Sequence, residues 1–305
     1  MRGILAQYDL GGAVSFEPLS AGTVNTNVRV LTERGAPVFL RINEAKQPAD
    51  VAFEAGVVEY VAARGVPTPA PYRTRAGLPY AEFKGQPVTL FPWISGRHLG
   101  AREVRRRHVE GVGAALARLH LAGADFTERR EGIYTLDHIA RRLKTFARSG
   151  DPKLAQAVPL LSEEVARLPH ERAPGLPEGI IHQDLFRDNV LFGGDDGITA
   201  LIDFEQAVWG RFAYDLAVCL LAWCFQDDSF EHALVQAMVA SYERVRPLRT
   251  EERAGLLAEA RVVAVRFTVT RVTDVYLRST AAPAGKDFRS YLARVRVLRE
   301  RGLPL

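Results

Sequence analysis

Cysteine is almost missing from this 305-residue chain, and the two present, Cys219 and Cys224, cannot form a bridge or share a metal. They lie five apart on a stretch that reads as helix, so at roughly 100° per residue their side chains point about 140° away from each other. Core packing is the expected role for both. Long apolar runs are also absent: none approaches the 18 or more residues of a membrane span. The opening MRGILAQYDLGG has too short an apolar stretch, and too acidic a character, for a secretory leader, so the cytoplasm is the expected location. Lysine is scarce, with five of the forty Lys plus Arg residues, and the arginines are dispersed among glutamates. Arg105-Arg106-Arg107 and Arg141-Arg142 lack interleaved aromatic platforms, so a net charge of +4 and a pI near 9.2 read as solvated helix faces rather than a nucleic-acid surface. No repeat and no low-complexity tract is visible. The chain contains no G-x-S-x-G, H-E-x-x-H or G-x4-G-K-[ST], which removes the usual signatures of serine hydrolases, zinc proteases and P-loop enzymes.

What is present is concentrated between Gly179 and Ala207, GIIHQDLFRDNVLFGGDDGITALIDFEQA. Ile180 and Ile181 lead into a polar turn that runs to Asn189, and Val190-Leu191-Phe192 reads as a strand. Five loop-type residues follow, Gly193 to Gly197. Ile198, Ala200 and Ile202 then alternate with Thr199 and Leu201, giving a second strand and hence a hairpin. Asp184 and Asn189 precede one strand of that hairpin and Asp203 follows the other. Two acids and an amide in this arrangement suit phosphoryl transfer, where one carboxylate orients the attacking hydroxyl and takes its proton. A second carboxylate, with an amide oxygen, can hold Mg²⁺, which prefers oxygen ligands and takes one or two carboxylates from protein. The spacing His182-x-Asp184-x4-Asn189, with Ile202-Asp203-Phe204 downstream, matches the kinase catalytic loop and its metal-binding aspartate. Asp184 is therefore the expected base, and Asn189 and Asp203 the expected metal ligands.

The runs HQDLFRDNVLF and LIDF resemble the aminoglycoside-phosphotransferase and choline-kinase superfamily. Within it DLFRDNVLF resembles most the bacterial homoserine kinase branch, as do AQYDLGGAVSF, AGTVNTN, ARGVPTPAP, LARLHLAGADF, YDLAV followed by WCF, and RFTVTR. The likeness covers most of the chain. It implies an α+β, two-lobed protein-kinase-like fold, with a small antiparallel-sheet lobe over residues 1–92 carrying one helix, and a larger, mainly helical lobe over 93–305. It also implies ATP and Mg²⁺ as cofactors and a small-molecule acceptor as partner, with no nucleic acid and no membrane; the oligomeric state is left open.

Along the first ninety residues, Gly22, Thr23 and Asn25 fall between two strand-like stretches, where small and amide residues let backbone N–H groups approach a phosphate. Val38 to Ile42 reads as the strand on which kinases carry a phosphate-binding lysine. This chain has Arg41 there, whose planar fork is not equivalent to a point charge. Pro48 to Arg64 reads as a helix with Asp50 as N-cap, and Glu54 falls inside its apolar stripe of Val51, Ala55, Val58 and Ala62. A carboxylate on a buried face needs a partner, and Arg41 is the obvious one. Pro87 to Trp93 reads as the last strand of this part, and in the resembled family the link it forms, including Phe91 and Trp93, offers backbone groups to adenine.

The later chain reads as helices: one ending near His120, one or two within 125–178, then Ala213 to Phe225, Phe230 to Val245, Thr250 to Leu277 and Phe288 to Arg301. His120 and His182 read as structural histidines, His182 bracing the catalytic loop. Asp215, near a helix N-terminus, matches the acid that braces that loop in the family.

For the acceptor, eleven acidic residues against eleven Lys plus Arg between Glu205 and Arg289 disfavour a polycation and permit a zwitterion such as homoserine. Arg187, Arg266 or Arg271 would take its carboxylate, and Glu205 or Asp274 its ammonium. Glu205-Gln206 departs from the aromatics expected after the metal-binding aspartate in homoserine kinases. An acceptor of aminoglycoside, choline or sugar type, or a non-catalytic nucleotide-binding pseudokinase, are the competing readings.

Overall fold

The computed structural model describes residues 2–19, 25–278 and 286–305. The expected Gly22 and Thr23 lie outside them. In chain order the helices and strands are α1 (Arg2–Leu5), β1 (Ala13–Leu19), β2 (Thr26–Thr32), β3 (Pro37–Ile42), α2 (Pro48–Ala62), β4 (Ala81–Phe83), β5 (Gln86–Pro92), α3 (Arg106–Gly123), α4 (Leu136–Phe146), α5 (Pro152–Ala155), α6 (Val158–Glu171), β6 (Glu178–Ile181), β7 (Val190–Phe192), β8 (Ile198–Leu201), β9 (Val208–Arg211), α7 (Phe212–Trp223), β10 (Phe225–Gln226), β11 (Ser229–Phe230), α8 (His232–Val245), α9 (Thr250–Arg271) and α10 (Phe288–Arg301). The class is α+β. Two compact units emerge, and they do not follow one cut after residue 92. The first comprises Met1–His98 with Asn189–Ala207; the second comprises Leu99–Asp188 with Val208–Leu305.

The first unit is built on an antiparallel sheet in the order β1-β2-β3-β5-β4. Val28, Leu40 and Leu90 stand opposite one another across three strands, and Val30 faces Val38, so the period-2 pattern stacks one buried row over the next. Ile4, Leu5 and Tyr8 belong to the same core cluster. Arg41, one residue out of phase with Leu40 and Ile42, points to the opposite face, where α2 packs.

Helix α2 is buried on more sides than one stripe, since Phe53, Val57 and Val61 are buried along with Val51, Ala55 and Val58. Its N-cap is Gln47 rather than Asp50. Asp50 sits three residues in, and its carboxylate accepts from the Gln47 backbone N–H at 3.2 Å, because Pro48 takes the first helical position and moves the start of the helix back. Gly65 ends the helix in the left-handed region, φ 83°, as a glycine there can.

The hairpin β7–β8 belongs to this unit. Val190 pairs with Leu201 and Leu191 with Ala200, and the Gly193 N–H closes the loop on the Gly197 carbonyl at 2.8 Å. The Phe192 and Arg97 backbones exchange two hydrogen bonds, and the Leu201 N–H donates to the Pro67 carbonyl. These long-range bonds draw residues 93–98 and 189–207 into the first unit.

The second unit is mainly helical around α7, whose twelve residues are all buried, Cys219 included. β6 pairs antiparallel with β9, setting Ile181 against Val208 just before the loop that carries Asp184. Residues 125–178 hold three helices rather than one or two, and the helix expected to run to Leu277 ends at Arg271. A π turn, Val272–Tyr276, follows, where the β-branched Thr273 turns its hydroxyl back to the Val269 and Thr270 carbonyls. Among the described residues no helix is long and apolar enough to cross a membrane.

Candidate active site

In the first unit the strand β3 and the helix α2 bring Arg41 and Glu54 together. Arg41 Nη2 lies 2.6 Å from Glu54 Oε1, with both residues about 95% buried. Arg41 Nη1 reaches Asp203 Oδ1 at 3.3 Å. The other Glu54 oxygen binds Lys46 Nζ at 2.9 Å, and Lys46 also lies 3.5 Å from Glu205, which accepts from the Asn25 amide at 3.2 Å. Lys46 was not picked out from the sequence. It lies in the connection between β3 and α2, and its one sequence signal is a lone lysine in a lysine-poor chain, eight residues before Glu54.

The electrostatics follow from these contacts. Burial alone would favour neutral forms, yet Arg41 and Lys46 outweigh it and hold Glu54 below the usual carboxylate range, while Glu54, Asp203 and Glu205 raise Arg41. Asp203 behaves differently. Although 42% of its side chain is exposed, its carboxyl is crowded by protein and faces Glu205 and Glu54, and it is pushed up to about 7, with Arg41 and Lys46 offsetting only part of the effect.

Asp203 also has a left-handed backbone, φ 64° and ψ 62°, and starts the single 3₁₀ turn Phe204–Gln206. A non-glycine residue in that region is uncommon and marks a position held by its surroundings. The Ile202 N–H donates to the Asn189 carbonyl at 3.0 Å, so the hairpin ladder sets the buried Asn189 beside the residue preceding Asp203. Three carboxylates, Glu54, Asp203 and Glu205, stand against two cations, Arg41 and Lys46. Within this excess of negative charge Asp203, unfavourably ionised and half-exposed, is an oxygen donor whose charge a hard divalent cation would relieve, although among the described residues no group of three or more acids, histidines or cysteines is arranged to hold one.

Trp93 lies beneath the Arg29 guanidinium, 5.0 Å from it, and Phe91 beneath that of Arg41, at 5.5 Å. Phe91 is held in the sheet opposite Phe39, and the Trp93 N–H donates to the Pro37 carbonyl at 3.3 Å.

In the second unit the loop bearing Asp184 is fixed from several directions. The backbone N–H groups of His182 and Gln183 each donate to an oxygen of Asp215 at 2.8 Å. Gln183 is left-handed, φ 67°, and its carbonyl accepts from Arg266 at 3.1 Å. The Leu185 carbonyl accepts from the Trp223 indole at 2.9 Å, and the Arg187 guanidinium donates to the Ala222 carbonyl. Asp215 is wholly buried and also faces His120 Nε2 at 3.1 Å. His120 Nδ1 meets the Tyr242 hydroxyl at 2.7 Å, and that hydroxyl accepts from Arg246 at 3.1 Å. Burial would raise Asp215, but His120 and the loop N–H groups hold it below its ordinary value.

The residues considered for the acceptor are placed unequally. Arg266, 3% exposed, is committed to the Gln183 carbonyl and lies over the Phe267 and Tyr134 rings. Asp274 accepts from Arg142 with both oxygens at 2.7 Å, so it already has a cation. Arg271 donates to Ser290 Oγ at 2.9 Å and feels the Asp184 carboxylate. Glu205 sits in the first unit with Lys46 and Asn25.

A phosphotransferase enzyme family model matches residues 15–248, and the chain belongs to this phosphotransferase enzyme family. More particularly, it is 37% identical over 275 residues to a homoserine kinase of Methylobacterium nodulans, covering 88% of this chain and 84% of that protein. It is 36% identical over 303 residues to a homoserine kinase of Xanthobacter autotrophicus, covering 97% and 92%. Among solved structures it resembles an amicoumacin kinase in complex with AMP-PNP, Ca²⁺ and Ami, with a TM-score of 0.74 and 16% identity over 96% of this chain and 90% of that one. This last likeness is one of fold.

Proposed function

We propose that this protein transfers the γ-phosphoryl group of ATP to the side-chain hydroxyl of homoserine. The observation that carries the acceptor is the near full-length similarity to homoserine kinases, which at 36–37% identity spans both units. The reaction class is supported by the chemistry already described: a fixed loop presenting Asp184, and the buried Arg41 with the half-buried Lys46 set against Asp203 and Glu54.

In this reading Asp184 accepts the hydroxyl proton as the oxygen attacks, and the bond from the γ-phosphorus to the bridging oxygen of ADP breaks as the new P–O bond forms. The loop's attachment to Asp215, Arg266 and Trp223 keeps Asp184 from drifting, which matters because misplacement by about 1 Å costs about 10²-fold. Arg41, aligned by Glu54, contacts the phosphates in place of the usual lysine, and Lys46 holds the second Glu54 oxygen. Asn189 and Asp203 would hold Mg²⁺, which when bound neutralises charge on the phosphates. Gly22, Thr23 and Asn25 are assigned to the loop covering the phosphates, and the Phe91–Trp93 backbone to adenine.

The test is ADP release across homoserine, serine, threonine, choline and aminoglycosides. Homoserine should be turned over with the highest kcat/KM. Turnover of choline or an aminoglycoside without homoserine would reject the acceptor and keep only the reaction class, and no ADP release with any of them would favour a nucleotide-binding role without catalysis.

A further inference from the structure

Most well-placed arginines of this protein meet a carboxylate: Arg261 meets Glu164, Arg172 and Arg211 share Glu259, and Arg246 meets Glu252. Arg271 of α9 and Arg294 of α10 do not. Neither has a carboxylate partner among the described residues, although both are partly buried. They pack instead on one ring. The Arg271 guanidinium lies 4.4 Å from the Tyr291 ring centroid and that of Arg294 lies 4.5 Å from it. Arg294 also covers Phe225 at 4.3 Å.

Their protein hydrogen bonds use only part of each fork. Arg294 donates through Nε to the Leu221 carbonyl at 2.9 Å and through Nη1 to the Ser290 carbonyl at 2.6 Å. Arg271 uses Nη1, on Ser290 Oγ at 2.9 Å and the Asp287 carbonyl at 3.3 Å. In both, Nη2 is left without an acceptor among the described residues.

A second and independent sign is the Tyr291 hydroxyl. The residue is 1% exposed, and its hydroxyl has no hydrogen-bond partner among the described residues. An orphaned hydroxyl in the interior is destabilising, and interiors seldom retain one without a reason. This one lies within electrostatic reach of Arg294, Arg271 and Asp184. Burial pushes Arg294 down to about 10, with the neighbouring Arg271 and Arg187 adding to the effect and Tyr291 and Asp228 offsetting part of it. Missing here is an anion with two or more acceptor oxygens, beside the carboxylate assigned as base.

We propose that Arg271, Arg294 and the Tyr291 hydroxyl form the seat of the acceptor's carboxylate, and that Arg294 is a specificity-determining residue separating hydroxy amino acids from amino alcohols that lack a carboxylate. The inference rests on the homoserine reading and names the part of that site which selects the substrate. A guanidinium fork matches a carboxylate in geometry as well as charge, so its loss should fall on anionic acceptors alone. Aromatic packing fixes both forks before the ligand arrives, which reduces the ordering cost of binding.

The test compares wild type, Arg294→Met, Arg294→Lys and Tyr291→Phe with homoserine and with 3-aminopropan-1-ol, which is homoserine without its carboxylate. Arg294→Met should raise KM for homoserine by about thirtyfold or more, the range for removing one partner of a buried charge pair. KM for ATP and kcat/KM for 3-aminopropan-1-ol should stay within about twofold, Arg294→Lys should recover part of the loss, and Tyr291→Phe should show a smaller loss of the same kind. L-2-Aminobutyrate, which has the carboxylate and ammonium but no hydroxyl, should inhibit the wild type competitively and Arg294→Met much less. Equal losses on both acceptors, or undiminished inhibition by L-2-aminobutyrate, would overturn the assignment. A wild-type enzyme that phosphorylates 3-aminopropan-1-ol and not homoserine would instead reject the proposed function.

Discussion

His120 Nε2 and Asp215 Oδ2, separated by 95 residues in sequence, lie 3.1 Å apart with neither side chain exposed. Burial lowers His120 from its ordinary value despite Asp215, so the imidazole is neutral, donating to Asp215 through Nε2 and accepting the Tyr242 proton at Nδ1. A short chain of donors from Arg246 through Tyr242 and His120 therefore ends on the carboxylate that holds the loop bearing Asp184. The loop depends on a group with a proton inventory.

Acid should weaken the protein in two stages. The unfolded chain binds a proton at His120 near its ordinary pKa of about 6.5, whereas the folded protein resists it, so stability falls as pH drops below about 6.5. Asp215, lowered in the fold, contributes stability that is present above the ordinary aspartate range and lost as pH falls through its folded value. One such group gives a slope of at most about 1.4 kcal/mol per pH unit. Thermal unfolding followed from pH 7.5 to 5.5 should show Tm decreasing, and His120→Gln should flatten that part of the profile. An unchanged slope in the variant would refute the neutral, buried assignment.

Asp184→Asn should lower kcat by about 10²-fold or more while leaving ATP affinity nearly unchanged, the size of a general base's contribution. Asp203→Ala should act on the other quantity, removing the Mg²⁺ dependence of nucleotide binding. Isothermal titration with a non-hydrolysable ATP analogue, with and without Mg²⁺, separates the two. Near-normal turnover in Asp184→Asn would show that another group takes the proton.

Glu54→Ala should be more damaging than Arg41→Met. Glu54 serves both Arg41 and Lys46, so its removal leaves the buried Arg41 with only its 3.3 Å contact to Asp203 and Lys46 with only its 3.5 Å contact to Glu205, and breaking such a buried pair costs about 3–5 kcal/mol. Both changes should raise KM for ATP and lower Tm, and the double variant should lose less than the sum, since the two residues share one interaction. Strict additivity in Tm and in KM would mean that the 2.6 Å contact contributes nothing.

Sequence alone determined the parts that depend on local spacing. The alternation from Ile198 to Ile202 requires a strand, the glycines and aspartates before it require a turn, and together they deliver Asn189 and Asp203 to one end of a hairpin. The same logic makes Phe288 to Arg301 a helix, the bounds observed. Phase gave the link between Arg41 and Glu54: a charged residue out of step with Leu40 and Ile42 on β3, and a carboxylate within the buried part of α2, each needed a partner that the other could supply. Only the tertiary structure decided which groups arrive from far along the chain. Asp274 looked available for an ammonium until α4 brought Arg142 to it, 132 residues away in sequence. Lys46 acquired two carboxylates only when residues 204–206 came to lie against α2. Arg294, one of several arginines on α10, shares the Tyr291 ring with Arg271 only through the packing of α10 on α9. Spacing fixes register within an element because the helical and strand periods are short. Nothing of comparable period fixes the packing of one helix on another, and that packing decides which charges are answered by the protein and which are left for a ligand.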